Sequence, residues 1–173
     1  KIIYAAKTVA LSKTSYIYNG KVQKPTVTVK DSKGNKIAAS NYTVKIATGQ
    51  KNVGNYTVTV TLKGNYTGTL KNSYTIVPKG TTISKVTAAS KGFTVAWKKQ
   101  ATQTTGYEIQ YSTSSNFASP KSVKVTSTAT VSKQISKLTG NKKYYVRVRT
   151  YKTVSGKAYY SSWSAAKTVT TKK

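Results

Sequence analysis

The sequence holds few of the side chains that usually perform catalysis or bind metals. The chain contains no His and no Cys, and Asp31 and Glu108 are its only acidic residues. A nucleophilic triad of the usual kind and a thiolate or imidazole metal site therefore have no residues to form them. The two acids fall in different halves of the chain, which excludes a paired-carboxylate glycosidase within it. We predict that the protein is not an enzyme and binds no metal or cofactor, although abundant Ser and Lys leave a Ser-Lys nucleophile pair open.

Positive charge is the unusual chemical property of this composition. Thirty Lys and Arg against two acids give a net charge of +28, and Arg147 and Arg149 are the only arginines. The charge is not confined to a tail, since residues 1–78 carry +11 and residues 79–173 carry +17. Such a charge attracts polyanions, and the near-absence of Asp and Glu indicates selection against negative charge. The alternative is compositional drift toward Lys, Ser, Thr and Asn.

The elements that position these side chains are β-strands. Tyr42, Val44 and Ile46 alternate with Thr43 and Lys45, a period of two that is typical of a strand with one buried face. No window shows a sustained helical period, and turn signals separate the apolar runs at regular intervals. We predict an all-β chain of two consecutive antiparallel β-sandwiches with essentially no helix.

A short Pro/Gly segment near the midpoint, Val77-Pro-Lys-Gly80, is typical of a joint between domains. We predict one domain over residues 1–78 and a second over residues 79–173. Without cysteine, each domain must be stable through its core and its strand pairing alone. Because the sequence starts at Lys1 and has no leader or membrane-spanning run, we expect it to be a segment of a longer protein.

The first half of the chain contains five Tyr-, Asn- and Gly-rich or Pro-containing motifs: Ser15-Tyr-Ile-Tyr-Asn-Gly20, Gln23-Lys-Pro25, Asn41-Tyr-Thr-Val44, Asn52-Val-Gly-Asn-Tyr-Thr-Val58 and Gly64-Asn-Tyr-Thr-Gly68. Through these motifs it resembles the bacterial immunoglobulin-like modules of Clostridia-type surface proteins. In such modules acidic residues are common around these motifs, whereas this sequence has Asn, Ser, Ala and Gln there. The resemblance implies an immunoglobulin-like sandwich in a Gram-positive cell-surface protein.

The second half of the chain contains three characteristic segments: Phe93-Thr-Val-Ala-Trp97, Gly106-Tyr-Glu-Ile-Gln-Tyr111 and the pair Leu138 and Tyr144. They are similar to the second, third and sixth strands of a fibronectin type III domain, which the second half therefore resembles. The resemblance implies that Trp97 is a buried core residue and that the Tyr144 hydroxyl bonds to upstream backbone. We expect both acids to be exposed, Asp31 in a turn and Glu108 in a surface ion pair among lysines worth at most about 1 kcal/mol.

A cationic-aromatic set is predicted on the outward face of the sixth strand of this domain. Its candidate members are Tyr145, Arg147, Arg149, Tyr151, Tyr160 and Trp163. The segment Tyr160-Ser-Ser-Trp-Ser164 is similar to the tryptophan-serine box of cytokine-receptor fibronectin domains, and we predict that Trp163 stacks between or beside Arg147 and Arg149. The alternative is a platform on which bases or sugars stack.

Two functions are consistent with these patterns. The first is a secreted or cell-wall adhesion module that binds teichoic acid, extracellular DNA or sulfated glycan. Lysine suits this role because it is a point charge that attracts phosphate or sulfate without reading bases. The candidate contacts are Lys45, Lys63, Lys98, Lys124, Lys142 and Lys143. The second is a structural spacer that displays another domain of a longer parent chain; in both cases we expect a monomer.

Overall fold

The computed structural model describes residues 4–173, without the side chain of Lys7. Residues 1–3, with which the predicted first domain begins, lie outside the described residues. The chain divides into two compact units, Lys1–Val77 and Pro78–Lys173, one residue before the predicted boundary. The all-β fold class is confirmed, because the helical structure in residues 4–173 is limited to one 3-10 turn, Ala39–Asn41. The described part contains no helix long and apolar enough to cross a membrane.

The first unit contains two sheets. Its strands are β1 (Tyr4–Leu11), β2 (Ser15–Ile17), β3 (Val27–Asp31), β4 (Tyr42–Ile46), β5 (Gly54–Leu62), β6 (Tyr66–Thr67) and β7 (Thr69–Val77). One sheet has the order β3-β1-β6 and the other β2-β7-β5-β4. Most pairs are antiparallel as predicted, but β1 with β6 and β2 with β7 are short parallel pairs. Parallel pairing needs a long connection between the two strands. Both of these pairs join strands that are far apart in the sequence and so meet this requirement.

The core of the first unit follows from alternation along β5. Val58 and Val60 are fully buried, while Thr57 before them and Thr61 after them are exposed and Thr59 between them is half-buried. The Tyr74 ring packs in the same core, and its hydroxyl donates a hydrogen bond to the Gln23 carbonyl at 2.8 Å. A buried phenol therefore keeps its apolar contacts and satisfies its polar group.

The second unit also has two sheets. Its strands are β8 (Ile83–Ala89), β9 (Gly92–Trp97), β10 (Gly106–Ser112), β11 (Lys121–Val125), β12 (Ser132–Ile135), β13 (Lys143–Val154), β14 (Lys157–Tyr160) and β15 (Lys167–Thr170). One sheet has the order β12-β9-β8, and the other β11-β10-β13-β14 with β15 also paired to β13. Strand β13 pairs with β10, β14 and β15, and it carries the candidate functional site.

Aromatic side chains fill the core between these two sheets. Trp97 is 3% exposed, and its ring centre lies 5.2 Å from that of Tyr107. Tyr144 is also buried, and its hydroxyl oxygen accepts a hydrogen bond from the backbone N–H of Thr139 at 3.3 Å. The core role predicted for Trp97 and the backbone anchor predicted for Tyr144 are both present. Burying one such aromatic side chain contributes roughly 1.5–3 kcal/mol.

Candidate functional site

The site is built on the middle of β13. Val146 and Val148 are fully buried on the core side of this strand, so the residues between and after them, Arg147 and Arg149, lie on the outer side. Both arginines are half-buried. Strand alternation alone therefore places two guanidinium groups side by side on one face of the sheet.

Two serines fasten the segment after β14 to the backbone of β13. The Ser161 N–H donates to the Thr150 carbonyl at 3.1 Å, and the Ser161 hydroxyl accepts from the Thr150 N–H at 3.0 Å. Ser164 makes the same pair of bonds with Val148, at 2.8 and 3.0 Å. The hydroxyls replace the ladder partners that an irregular segment lacks. Trp163, which lies between the serines, is consequently held beside the arginine face.

Aromatic rings and cations then alternate along this face. Arg147 Cζ lies 4.0 Å from the centre of the Phe117 ring and 4.7 Å from that of Trp163. Arg149 Cζ lies 4.2 Å from the centre of the Trp163 ring and 3.9 Å from that of Tyr160. Each guanidinium thus contacts two rings at the separation of a cation–π interaction. We call the set Phe117, Arg147, Trp163, Arg149 and Tyr160 the arginine ladder.

The neighbouring strand β10 supplies an acceptor to each arginine. Glu108 stands directly opposite Arg149, and its Oε2 accepts hydrogen bonds from Nε and Nη2 of Arg149, both at 2.6 Å. Gln110 stands opposite Arg147, and its Oε1 accepts from Arg147 Nε at 2.8 Å and also from Nη2. The Nε and Nη2 edge of each guanidinium is therefore occupied as well as its faces.

The expectation of an exposed Glu108 among lysines was wrong. Glu108 is 8% exposed, and its ion-pair partner is Arg149. Lys124 stands on the other side of Glu108 in the register of β10 and β11. The carboxylate is buried because the rings and strands around Arg149 cover it, and ion pairing is what makes such burial tolerable.

The pKa of Arg147 and that of Lys124, which lies beside the ladder, are shifted in opposite directions. Burial, and then the nearby Arg149 charge, lower the pKa of Arg147. The side-chain hydrogen bond with Tyr160 raises the pKa of Lys124, as do the charges of Tyr160, Glu108 and Tyr151, while desolvation opposes them. The Lys124 Nζ lies 5.7 Å from the Tyr160 ring centre, so this lysine ends the row of alternating cations and rings.

Two predicted members lie off the ladder. Tyr145 is half-buried, and the cation over its ring is Nζ of Lys143, at 5.3 Å. Tyr151, expected to be exposed, is 4% exposed instead. It packs against Tyr160 with ring centres 6.1 Å apart and lies opposite Gly106, which leaves room for the ring to settle on the sheet. A stacking platform that includes Tyr151 is therefore incorrect.

Sequence reasoning missed Phe117, Gln110 and the role of Glu108. Phe117 is buried in the loop between β10 and β11 and has a left-handed φ of 58°. Strand periodicity cannot identify such a residue, although it is one of only two phenylalanines. Gln110 and Glu108 share the outward side of β10, so pairing β10 with β13 in register would have placed both beside the arginines.

The six candidate lysines are scattered over both units. Lys45, Lys63, Lys98 and Lys142 are exposed, and the structure gives their side chains no hydrogen-bond or ring partner among residues 4–173. Lys124 and Lys143 are also exposed, but their ammonium groups lie over tyrosine rings. The structure does not gather the six lysines into one site.

The remaining acid, Asp31, is held in a turn as expected. Its Oδ1 accepts hydrogen bonds from the backbone N–H groups of Lys33 and Asn35, both at 2.9 Å. Desolvation raises the pKa of Asp31, but bonds from the Asn35 backbone and side chain and from the Lys33 backbone outweigh it, so the pKa lies below its usual 3.8. Both carboxylates of the chain are thus committed to internal partners.

Known proteins share the fold of this chain. The chain is similar to the crystal structure of the chicken CNTN1 FN1-FN3 domains, with 16% identity and a TM-score of 0.50, over 99% of this chain and 68% of that one. It is also similar to a two-domain fibronectin type III segment from chicken tenascin, with 16% identity and a TM-score of 0.50, over 96% and 99% of the two chains. No curated protein sequence matches significantly.

The immunoglobulin-like identity and Clostridia-type origin predicted for the first half stay predictions. Residues 76–167, which carry the tryptophan core, the tyrosine anchor and the arginine ladder, match the family model "Fibronectin type III domain". The match spans more than half of the 173 residues. The chain belongs to the fibronectin type III family.

Proposed function

We propose that this chain is a non-catalytic, cationic surface or adhesion module of a secreted or cell-wall protein, and that it binds polyanions through dispersed lysines. The observation that supports this is the accessibility of the two signs of charge. Every lysine side chain that the structure describes is exposed except that of Lys152, which is half-buried. The positive charge is therefore displayed over both units.

The negative charge, in contrast, is masked. Glu108 is buried against Arg149, and the Asp31 carboxylate is engaged by the turn that it begins. A surface with one sign of charge raises the local concentration of oppositely charged polymers and accelerates their association. Neither carboxylate is placed to repel such a polymer from the lysines.

Lysine rather than arginine carries this interaction. The faces and the Nε and Nη2 edges of both guanidiniums are occupied inside the ladder, which leaves Arg147 and Arg149 less of their bonding capacity for bidentate recognition of phosphate or bases than the exposed lysines keep. The lysines offer compact charges that tolerate many arrangements of phosphate or sulfate. Broad selectivity among polyanions follows.

The test is an affinity panel near 0.15 M salt, where the Debye length is about 8 Å. The full chain is titrated with teichoic acid, duplex DNA, a sulfated glycan and a neutral glycan. Binding to at least one polyanion and none to the neutral glycan is expected; absence of binding to all three polyanions would refute the proposal.

Matched variants separate charge from side-chain shape. Replacing Lys45, Lys63, Lys98 and Lys142 together with Gln should weaken binding, whereas Arg at the same four positions should preserve it. Charge is the property that dispersed contacts use, and both replacements keep a long polar side chain at exposed positions. Equal weakening by Gln and Arg would contradict a charge-based mechanism.

A structural spacer is the second candidate. Fibronectin type III domains are generally non-catalytic, typically occur in extracellular and multidomain proteins and fit a structural or spacer module. The separate cores of the two units favour this role, since each module can hold its shape in a longer chain. A spacer is the outcome if the affinity panel is negative.

A further inference from the structure

The outer face of the four-stranded sheet in the first unit has an unusual surface. Along β5, Asn55, Thr57, Thr59 and Thr61 alternate with buried residues and face away from the core. Along β7, the outward positions also carry polar side chains: Thr69, Lys71, Ser73 and Thr75. Apolar side chains are absent from these eight positions, although Thr59 and Thr75 are half-buried.

The strand register arranges these side chains in rows across the sheet. Lys45 of β4 stands opposite Thr59, which stands opposite Lys71 of β7. Because adjacent strands are about 4.8 Å apart, the two lysines start about 9.6 Å apart with a threonine between them. The next row toward the start of β5 pairs Thr57 with Ser73.

The polar side chains on this face are accessible and largely free of internal hydrogen bonds. Within residues 4–173, no protein group bonds the side chains of Thr57, Thr59 and Ser73. The Thr75 hydroxyl donates to Asn55 Oδ1 at 3.1 Å, which fixes the Asn55 carboxamide and leaves its N–H groups unpaired in this structure. A ligand with many acceptor oxygens would satisfy these groups without displacing an internal bond.

The same residues line a depression and face no acid. An open cavity of about 370 Å³ is lined by Asn55, Thr57, Lys71, Asn72 and Ser73. The acid of this unit, Asp31, belongs to the other sheet. The face therefore combines a shallow, open depression, regular hydroxyls and two unopposed lysines, which complements a chain that bears both oxyanions and hydroxyls.

We propose that this face, from the Lys45–Thr59–Lys71 row to Asn55, binds a sulfated glycan; the proposal rests on the polyanion-binding function proposed above and names its main site. Sugar rings hold hydroxyls at regular intervals, so they match a fixed array of Thr, Ser and Asn side chains. A flexible polyol phosphate would lose more conformational freedom on the same array. Duplex DNA presents phosphates outward but offers few hydroxyls to the threonines.

The experiment uses the full chain and chondroitin sulfate near 0.15 M salt. The double variant Thr57→Val, Thr59→Val deletes two hydroxyls but leaves the net charge and the β-branched shape unchanged. It should lower the affinity for chondroitin sulfate about tenfold, since two hydrogen bonds contribute about 0.5–1.5 kcal/mol each. Its affinity for duplex DNA and for teichoic acid should stay within about twofold of the wild-type value, a scatter far below that tenfold effect.

A second pair of variants tests the lysines. The variant Lys45→Gln with Lys71→Gln removes two charges from the face. The matched control, Lys30→Gln with Lys36→Gln, removes two charges beside the other sheet, where the two residues form a backbone β-bridge. The face pair should reduce the affinity for chondroitin sulfate at least about fivefold more than the control pair, because it also loses site contacts. Amide chemical shifts of each variant establish that the fold is retained.

The outcomes separate this site from the general function. Wild-type binding to chondroitin sulfate that is unchanged by the threonine variant, or equally weakened by the two lysine pairs, would overturn the site and leave dispersed binding intact. Equal losses for DNA or teichoic acid in the threonine variant would overturn the choice of a sulfated glycan. No wild-type binding to any of the three polymers would overturn the proposed function and the site with it.

Discussion

At the scale of residues, the contrast between arginine and lysine organises the second unit. The only two arginines of the sequence are the two residues that stack within the ladder. A planar guanidinium can stack on a ring and bond in its own plane at once, which an ammonium cannot do. We therefore expect the ladder to stabilise the fold, and the lysines to make the external contacts proposed above.

Trp163 is the residue on which the ladder depends. Its replacement by Ala should destabilise the second unit by about 3 kcal/mol or more, because both guanidiniums lose the ring that they share. Trp97 stays in that unit, so its fluorescence reports unfolding in denaturant within the full chain. Tyr145→Ala is the matched control and should cost under about 1 kcal/mol, since its stacking partner is an exposed lysine. Equal costs would show that the ladder adds no stability.

Arg149→Lys tests the guanidinium without changing the charge. Lysine cannot bond Glu108 through two nitrogens while it stacks on Tyr160 and Trp163, so a loss of roughly 1–2 kcal/mol is expected. The control, Lys152→Arg, should leave the denaturation midpoint nearly unchanged because it replaces a residue outside the ladder. A midpoint for Arg149→Lys equal to that of the wild type would contradict the stacking account.

Residue types and alternation were enough to predict part of this site. Alternation placed Arg147 and Arg149 on the outward face of their strand, and the resemblance of Tyr160-Ser-Ser-Trp-Ser164 to a tryptophan-serine box placed Trp163 beside them. They could not place Phe117, which reaches the ladder from a loop, or the buried Glu108, whose environment depends on the register of two strands. Non-local contacts of this kind carry no signal at a single sequence position.

At the scale of elements, close strand approach fixes the sheet that carries the ladder. A Cβ atom added to Gly106 would lie 2.0 Å from the Val125 carbonyl oxygen and 3.1 Å from the Tyr151 hydroxyl. The pairing of β10 with β11 therefore requires glycine at this position. The sequence identified Gly106 only as the first residue of a strand. The need for glycine there became clear from the pairing of that strand with β11.

Gly106→Ala should weaken the second unit by about 2 kcal/mol or more, because backbone must move to admit the methyl group. Gly156→Ala is the control, since its Cβ would meet nothing within 4 Å. Its positive φ of 79° carries an ordinary cost of about 1 kcal/mol. Chemical denaturation that gives Gly106→Ala the smaller loss would contradict the close-approach explanation.

The turn after β3 predicts a pH dependence for the first unit. The pKa of Asp31 is lowered in the folded chain, so its stabilising effect is present above the ordinary pKa of 3.8 and is lost as pH falls through the folded pKa. Asp31→Asn should therefore be less stable than wild type at neutral pH, and the difference should vanish in acid. This difference in stability is measured by hydrogen exchange of the Ile37 amide, which donates a hydrogen bond to the Val29 carbonyl. A stability difference between wild type and Asp31→Asn that grows in acid would contradict the lowered pKa of Asp31.

At the scale of the whole molecule, the two units share a sign of charge. Composition predicted this property directly, because 28 lysines cannot be buried in small sandwiches. Composition could not show that the carboxylates of Asp31 and Glu108 are both bonded to groups of the same chain. Because of these bonds, the accessible surface charge is more uniformly positive than the net charge implies. The fold class followed from alternation, while the parallel pairs of the first unit depend on contacts between distant strands.

The dependence of polyanion affinity on salt tests the central claim most directly. The full chain is titrated with duplex DNA and chondroitin sulfate between about 0.05 and 0.2 M salt. Dispersed lysine contacts predict a linear fall of log K with log salt, with a slope of about −0.9 per DNA phosphate neutralised and a change of about one when a single contacting lysine is replaced. The predicted result is this slope for DNA, and measurable binding to chondroitin sulfate near 0.15 M that weakens as the salt concentration rises. Binding that is absent there for both polymers, or that does not respond to salt, would contradict the account.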